Sequence, residues 1–222
     1  RIDPYFWLRE RSNQKVVDFL ESENRYQEEQ LAHTKDLQET LYNEIVGRMN
    51  ETDLSAPYKN GEYMYFYRTE KGKQYRIYCR KRVSSLELFD QAEEEVLLDL
   101  NKIYEEQKLE YLSLGVYRVS PDHNILAYSL DTTGEEIYVC RFKDLTTGEL
   151  LEDSIALEEK MGSSFQWAND SLTCFYTTQD AALRSYQVRK KVISRTEKTE
   201  PVSILTDDDE RFWVGVNKSL SG

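Results

Sequence analysis

Reactive chemistry in a protein needs particular side chains at particular spacings, and these residues supply few of them. A serine nucleophile sits on a strained strand-to-helix elbow flanked by glycines, Gly-x-Ser-x-Gly. The nearest stretch, Gly162-Ser163-Ser164-Phe165-Gln166, lacks the second glycine and leads into a strand pattern, so Ser164 reads as a loop or strand-start residue. A general base is needed as well, and the chain has two histidines. His33 falls at the end of a helical pattern, where a cation suits the helix dipole. His123 falls in the turn Ser120-Pro121-Asp122-His123, and neighbours within a turn do not orient one another as a proton relay requires. The acidic run Asp207-Asp208-Asp209-Glu210 lacks the spaced ligands and the glycine of a calcium loop; it reads as a solvated turn. Gly61, Gly72, Gly134 and Gly148 each precede a strand pattern rather than a helix, which makes them hairpin turns and not a phosphate cradle. The basic cluster Arg189-Lys190-Lys191 reads as an exposed strand end. Cys79, Cys140 and Cys174 lie inside apolar strand-like segments with no metal-ligand rhythm, as buried thiols of a reducing compartment do. The expectation is a chain with no catalytic, cofactor-binding or metal-binding residue of its own, and no cofactor.

The elements that would carry these residues repeat. Val119-Ser120-Pro121-Asp122-His123-Asn124-Ile125-Leu126-Ala127-Tyr128 is echoed by Gln166-Trp167-Ala168-Asn169-Asp170-Ser171-Leu172-Thr173-Cys174-Phe175-Tyr176, each a polar turn followed by alternating apolar residues. Pro57 to Tyr67 is a fainter copy, and Phe212 to Val216, leading into Lys218 to Gly222, reads as the start of a fourth. A period of about 48 residues suits the blades of a β-propeller, in which each four-stranded sheet buries its faces only against its neighbours. About three blades are present, so the chain reads as a segment of something longer, and its last sheet should offer an apolar face and open edges that invite self-association.

Within this pattern, Tyr63 to Tyr67, the turn Glu70-Lys71-Gly72-Lys73 and Tyr75 to Cys79 form a hairpin. Ser84 to Glu95 reads as an exposed acidic insert, Val96 to Leu100 as a buried strand, and Asn101 to Tyr111 as a short helix or loop. Residues 1–54 differ: they lack period-two alternation and form a helical arm. Ser12 is the expected N-cap, with Val16, Phe19, Leu20, Asn24, Gln27 and Leu31 on the inward stripe of a first helix and Leu37, Leu41, Ile45 and Met49 on that of a second. The aromatic cluster Tyr5-Phe6-Trp7-Leu8 needs a surface to cover. Residues 55–222 are then the first blades of the propeller, incomplete at the C-terminus.

Composition sets the function classes aside that the spacing leaves open. Asp and Glu outnumber Lys and Arg 41 to 29, a net charge of -12, which disfavours nucleic acid and favours cationic partners. No apolar run reaches the roughly 20 residues of a membrane span, and the first residues are no signal peptide. The expected location is the cytoplasm, with neither membrane nor nucleic acid as partner.

At this point a resemblance can be stated. Asp3-Pro4-Tyr5-Phe6-Trp7-Leu8-Arg9, Leu37 to Ile45, Arg68 to Tyr75, Tyr111-Leu112-Ser113-Leu114-Gly115, Tyr128 to Gly134, Lys143 to Leu150 and Asp209-Glu210-Arg211-Phe212 together resemble the N-terminal third of the oligopeptidase B (protease II) group of the prolyl oligopeptidase family of serine peptidases. The likeness runs in order along nearly the whole chain and departs chiefly around Glu87 to Glu95 and Val192 to Glu200. It implies a seven-bladed propeller capping an α/β-hydrolase catalytic domain absent from this chain, an N-terminal arm that wraps that domain, and cleavage of short peptides after Arg or Lys. The partners implied are basic oligopeptides and the remaining propeller and hydrolase portions. On this reading the present residues gate and steer substrate, and the segment alone is inactive. The competing classes are a non-enzymatic propeller scaffold and a truncated relative without peptidase activity.

Overall fold

In the computed structural model, which describes residues 2–219, the chain falls into two compact units, Arg1–Glu51 and Thr52–Gly222. The first is helical: α1 (Gln14–Leu31) and α2 (Lys35–Gly47) are joined through a 3-10 turn at Ala32–Thr34. The N-cap is Asn13, not Ser12; its side chain accepts the Lys15 amide at 3.0 Å, one residue nearer the helix than the spacing had placed it. Trp7 meets Phe19 edge-to-face at 5.6 Å, and Val16 is buried. Tyr5, Phe6, Leu20, Leu37, Leu41, Ile45 and Met49 stay exposed.

The second unit is three antiparallel four-stranded meanders. The first sheet is β1 (Tyr58–Asn60), β2 (Tyr63–Arg68), β3 (Ile77–Arg82) and β4 (Glu95–Asp99); α3 (Leu100–Gln107) then leads onward. The second is β5 (Ser113–Val119), β6 (Ile125–Asp131), β7 (Val139–Asp144) and β8 (Leu150–Ile155), and the third β9 (Met161–Trp167), β10 (Thr173–Gln179), β11 (Ser185–Val192) and β12 (Val202–Thr206). The chain is mainly β with a helical arm, and the sheets are blades of a partial propeller. Each recurring segment is the first turn of a blade: β5 to β6 and β9 to β10 for the clear copies, β1 to β2 for the faint one. The faint copy is faint because β1 is three residues long. The second unit begins at Thr52, because Asp53 and Leu54 already pair with Thr69 and Arg68. Phe212 to Val216 and Lys218 onward, read as opening a fourth blade, carry no strand as far as Ser219, and Leu220 to Gly222 lie outside the described residues.

Alternation along the strands gives each blade two apolar faces. The cluster between the first and second sheets is built from Tyr65, Leu97, Leu98, Leu112, Leu126, Tyr128 and Leu130. Between the second and third lie Val116, Ile125, Phe142, Ile155, Phe165, Trp167, Cys174 and Tyr176. The face of the first sheet turned away from the second, Met64, Phe66, Ile77 and Cys79, is also buried. Its cover is the acidic segment expected to be exposed: residues 84–94 fold back as a 3-10 turn over Leu86–Gln91, and Phe89 packs edge-to-face on Phe66 at 5.0 Å. An unsatisfied sheet face captures the one large aromatic in the insert. Burial holds the Cys79 thiol up at about 12, and all three cysteines are buried and unpaired in disulfides.

Candidate functional site

The polar chemistry of the second unit is concentrated where blades meet. Gly61, His123 and Ser171 each occupy the left-handed backbone region in the first turn of their blades, at φ of 58°, 63° and 62°. Such a conformation is costly for a side-chain-bearing residue and persists where its surroundings fix it. His123 reaches back to the first sheet, its Nδ1 2.8 Å from the Tyr65 hydroxyl. Ser171 reaches back to the second, its Oγ accepting the Asp122 amide at 2.9 Å. Lys218 in turn donates to the Asn169 side chain.

The His123 site is crowded. Arg80, almost wholly buried, donates to the His123 carbonyl at 2.6 Å, pairs with Glu95 at 2.6 Å, and lies 4.1 Å above the Tyr63 ring. Burial first, and then the Arg80 charge, depress the His123 imidazolium, so it is the neutral ring that shares a hydrogen bond with the Tyr65 hydroxyl. Burial pushes the Tyr65 phenol up to about 12. The Asp122 carboxylate lies beside the imidazole and its charge opposes the depression of the imidazolium, but among the described residues it makes no hydrogen bond to the ring. That carboxylate accepts Ser120 Oγ at 2.6 Å and both the backbone and side-chain amides of Asn124. Burial works to raise this carboxyl, and those hydrogen bonds together bring it below its ordinary range. His123 and Asp122 therefore form no relay.

At the next seam Lys191 and Asp153, both nearly fully buried, meet at 2.7 Å. Asp153 also accepts Thr199 Oγ1 at 3.0 Å and the amides of Ser154, Ser194 and Thr199, which pins the β11 to β12 loop. The basic cluster is thus no exposed strand end: it lies inside β11, with Arg189 joined to Glu159 and Lys191 facing inward opposite Cys174. Arg195 crosses to Asp144, and the Trp167 indole donates to the Arg118 carbonyl at 3.1 Å.

The remaining candidates are dispersed. Ser164 is the fourth residue of β9, not a loop residue, and no imidazole faces it. His33 is exposed on the linking 3-10 turn, Nδ1 3.0 Å from the Gln30 carbonyl. Gly61, Gly72, Gly134 and Gly148 all adopt positive φ in hairpin turns. The acidic run is held from behind: the Arg184 guanidinium, paired with Asp180 at 3.0 Å, donates to the carbonyls of Asp207, Asp209 and Phe212. Among the described residues no group of three or more His, Cys, Asp or Glu is placed to hold a metal ion, and no helix is long and apolar enough to cross a membrane. Arg80 with Glu95, Lys191 with Asp153 and Arg195 with Asp144 are spent on one another, an arrangement suited to locking blades.

Comparison with known proteins adds the context. The model of the prolyl oligopeptidase N-terminal β-propeller domain matches residues 1–222. Protease 2 of Moraxella lacunata is 38% identical over 100% of this chain, which covers 32% of that protein. Dipeptidyl aminopeptidase BI of Pseudoxanthomonas mexicana is 34% identical over 99% of the chain and 31% of its own length. Among solved structures, oligopeptidase B from Trypanosoma brucei with covalently bound antipain, in its closed form, superposes with a TM-score of 0.81 at 34% identity, over 99% of this chain and 30% of that one. The chain spans about a third of the length of the curated relatives it matches.

Proposed function

Since the chain belongs to the prolyl oligopeptidase family, as the N-terminal β-propeller region of a peptidase like oligopeptidase B, we propose that it is the substrate-gating part of a serine endopeptidase that hydrolyses short peptides after Arg or Lys. The observation that carries this reading is the likeness to Protease 2 over the whole length of the chain, arm and blades together. A free-standing propeller scaffold has no use for an apolar helical arm with Tyr5, Phe6, Leu37, Leu41 and Ile45 exposed along it.

On this reading catalysis belongs to a hydrolase portion outside these residues, and the blades contribute a filter and a field. A net charge of -12 concentrates cationic peptides near the entrance, an effect that weakens as salt screens it over about 10 Å at 0.1 M. The likeness to a dipeptidyl aminopeptidase supports a second reading, in which the same architecture releases dipeptides from a free N-terminus.

One experiment separates the readings. The complete product of the gene is treated with a fluorophosphonate probe and assayed on fluorogenic Arg-Arg amides with blocked and with free N-termini, at low and high salt. Cleavage of the blocked substrate, with KM rising as salt is added, supports the endopeptidase. Cleavage of the free substrate alone supports the dipeptidyl reading. No labelling of the complete product returns the scaffold.

A further inference from the structure

A groove of about 310 Å³ runs between the outer parts of the first and second sheets. Its apolar walls are Val96 and Leu98 of β4, Ile103 of α3 and Leu150 of β8, and two lysines, Lys102 and Lys143, open onto it. Asp99 and Glu106 border it as well. The Asp99 carboxylate caps α3 through the Asn101 and Lys102 amides. On a protein with an excess of acidic residues, neither lysine has an ion-pair partner among the described residues; Lys143 Nζ, half-buried, donates to the Leu97 carbonyl across the seam at 3.0 Å.

An ammonium so placed keeps a single acceptor, lies against apolar walls and shares its groove with a second cation. We propose that Lys143 is a site of N-acylation, its ε-amine taking an acyl group from an acyl phosphate that enters this groove. The neutral amine attacks the carbonyl carbon, the bond to the phosphate oxygen breaks with its electron pair left on inorganic phosphate, and the surplus Nζ proton passes to water. The product is an amide and free phosphate, with no oxidant or reductant involved. Lys102 is the cation that meets the donor's anionic phosphate, against the opposing carboxylates of Asp99 and Glu106 at the border, and the apolar walls receive the acyl chain.

The amine's own state agrees with this. Burial disfavours its charged form; Glu95 opposes that and Lys102 reinforces it, and the outcome is a lysine that deprotonates below its ordinary value. Each unit of such a depression raises the neutral, nucleophilic fraction at a given pH about tenfold. Acylation would in turn take a cation and two of its hydrogens from the seam and weaken the hold on Leu97.

The test uses the intact chain without mutation. It is incubated with acetyl phosphate at mildly alkaline pH and acetylation at each lysine is followed by peptide mass spectrometry. Pulse labelling with acetic anhydride over a pH series then gives the titration of each amine. Lys15 and Lys35, exposed on the helices, are the internal references. Acetylation of Lys143 several-fold faster than both, with its half-titration at lower pH, is the expected result. A Lys143 rate equal to or below those of Lys15 and Lys35, or a titration no lower than theirs, overturns the proposal.

Discussion

The Tyr65 hydroxyl and the His123 Nδ1 meet at 2.8 Å across the seam of the first two blades, although 58 residues separate them in the chain. The groups facing this imidazole are Tyr63 and Tyr65 from β2, Arg80 from β3, Glu62 from the first turn, and Asp122 beside it. Because the folded state depresses the His123 value below 6.5, the unfolded chain binds the proton more readily. The stability so gained is present above pH 6.5 and is lost as pH falls from there toward the folded value. His123→Asn keeps a residue that tolerates positive φ and removes the titration. Denaturant midpoints at pH 7 and pH 5 should fall further for the wild type than for the variant; parallel losses would show that this histidine does not sense pH.

The buried pair at the second seam should respond unequally to removal of its two ends. Lys191→Met leaves a carboxylate that still accepts three amides and a hydroxyl, and should cost about 3–5 kcal/mol as broken buried pairs do. Asp153→Ala leaves the buried ammonium only its Thr199 acceptors, with no counter-charge, and takes the acceptor from three amides, and should cost at least as much. Urea unfolding of both variants decides it: an Asp153→Ala protein within about 1 kcal/mol of wild type would mean that the pair holds nothing.

Phe89 should be a local plug whose removal is felt at Cys79. Phe89→Ala is expected to lower stability by about 3–5 kcal/mol, and to make Cys79 the first thiol to react with an aromatic disulfide reagent. Reaction order is read by mass spectrometry, and Cys140 or Cys174 reacting ahead of Cys79 would sink the assignment.

The third sheet ends on a strand exposed along its whole length, with Val202, Ile204 and Leu205 bare and Phe212 and Trp213 beyond it. We predict that the isolated chain associates with itself there. Light scattering should report species larger than 26.3 kDa that shift toward monomer in Ile204→Lys, because a charge on an edge strand opposes pairing. A wild type monomeric at high concentration refutes it.

The blades were legible because the information that makes them is local. Period-two alternation and turn residues such as Asp122, Asp170 and Gly72 act within a few positions, so the meanders followed from the residues alone. The seams were not legible, since their partners lie far apart: Arg80 finds His123 across 43 residues and Asp153 finds Thr199 across 46. A signal for Lys191 did exist. Its cross-strand neighbour is Cys174, an apolar residue in a buried strand, and residues directly opposite share a face. Phe89 misled for the opposite reason, because the charge around it described the outside of the insert and not the side turned to Phe66.

The left-handed turn residues have a direction. His123 contacts the blade before it and Ser171 the blade before its own, and Lys218, further on and not in that conformation, contacts the turn preceding it. A polypeptide leaving the ribosome N-terminus first would therefore find, at each step, a finished docking surface already waiting for the newest turn. These turn contacts could then form one blade at a time during translation.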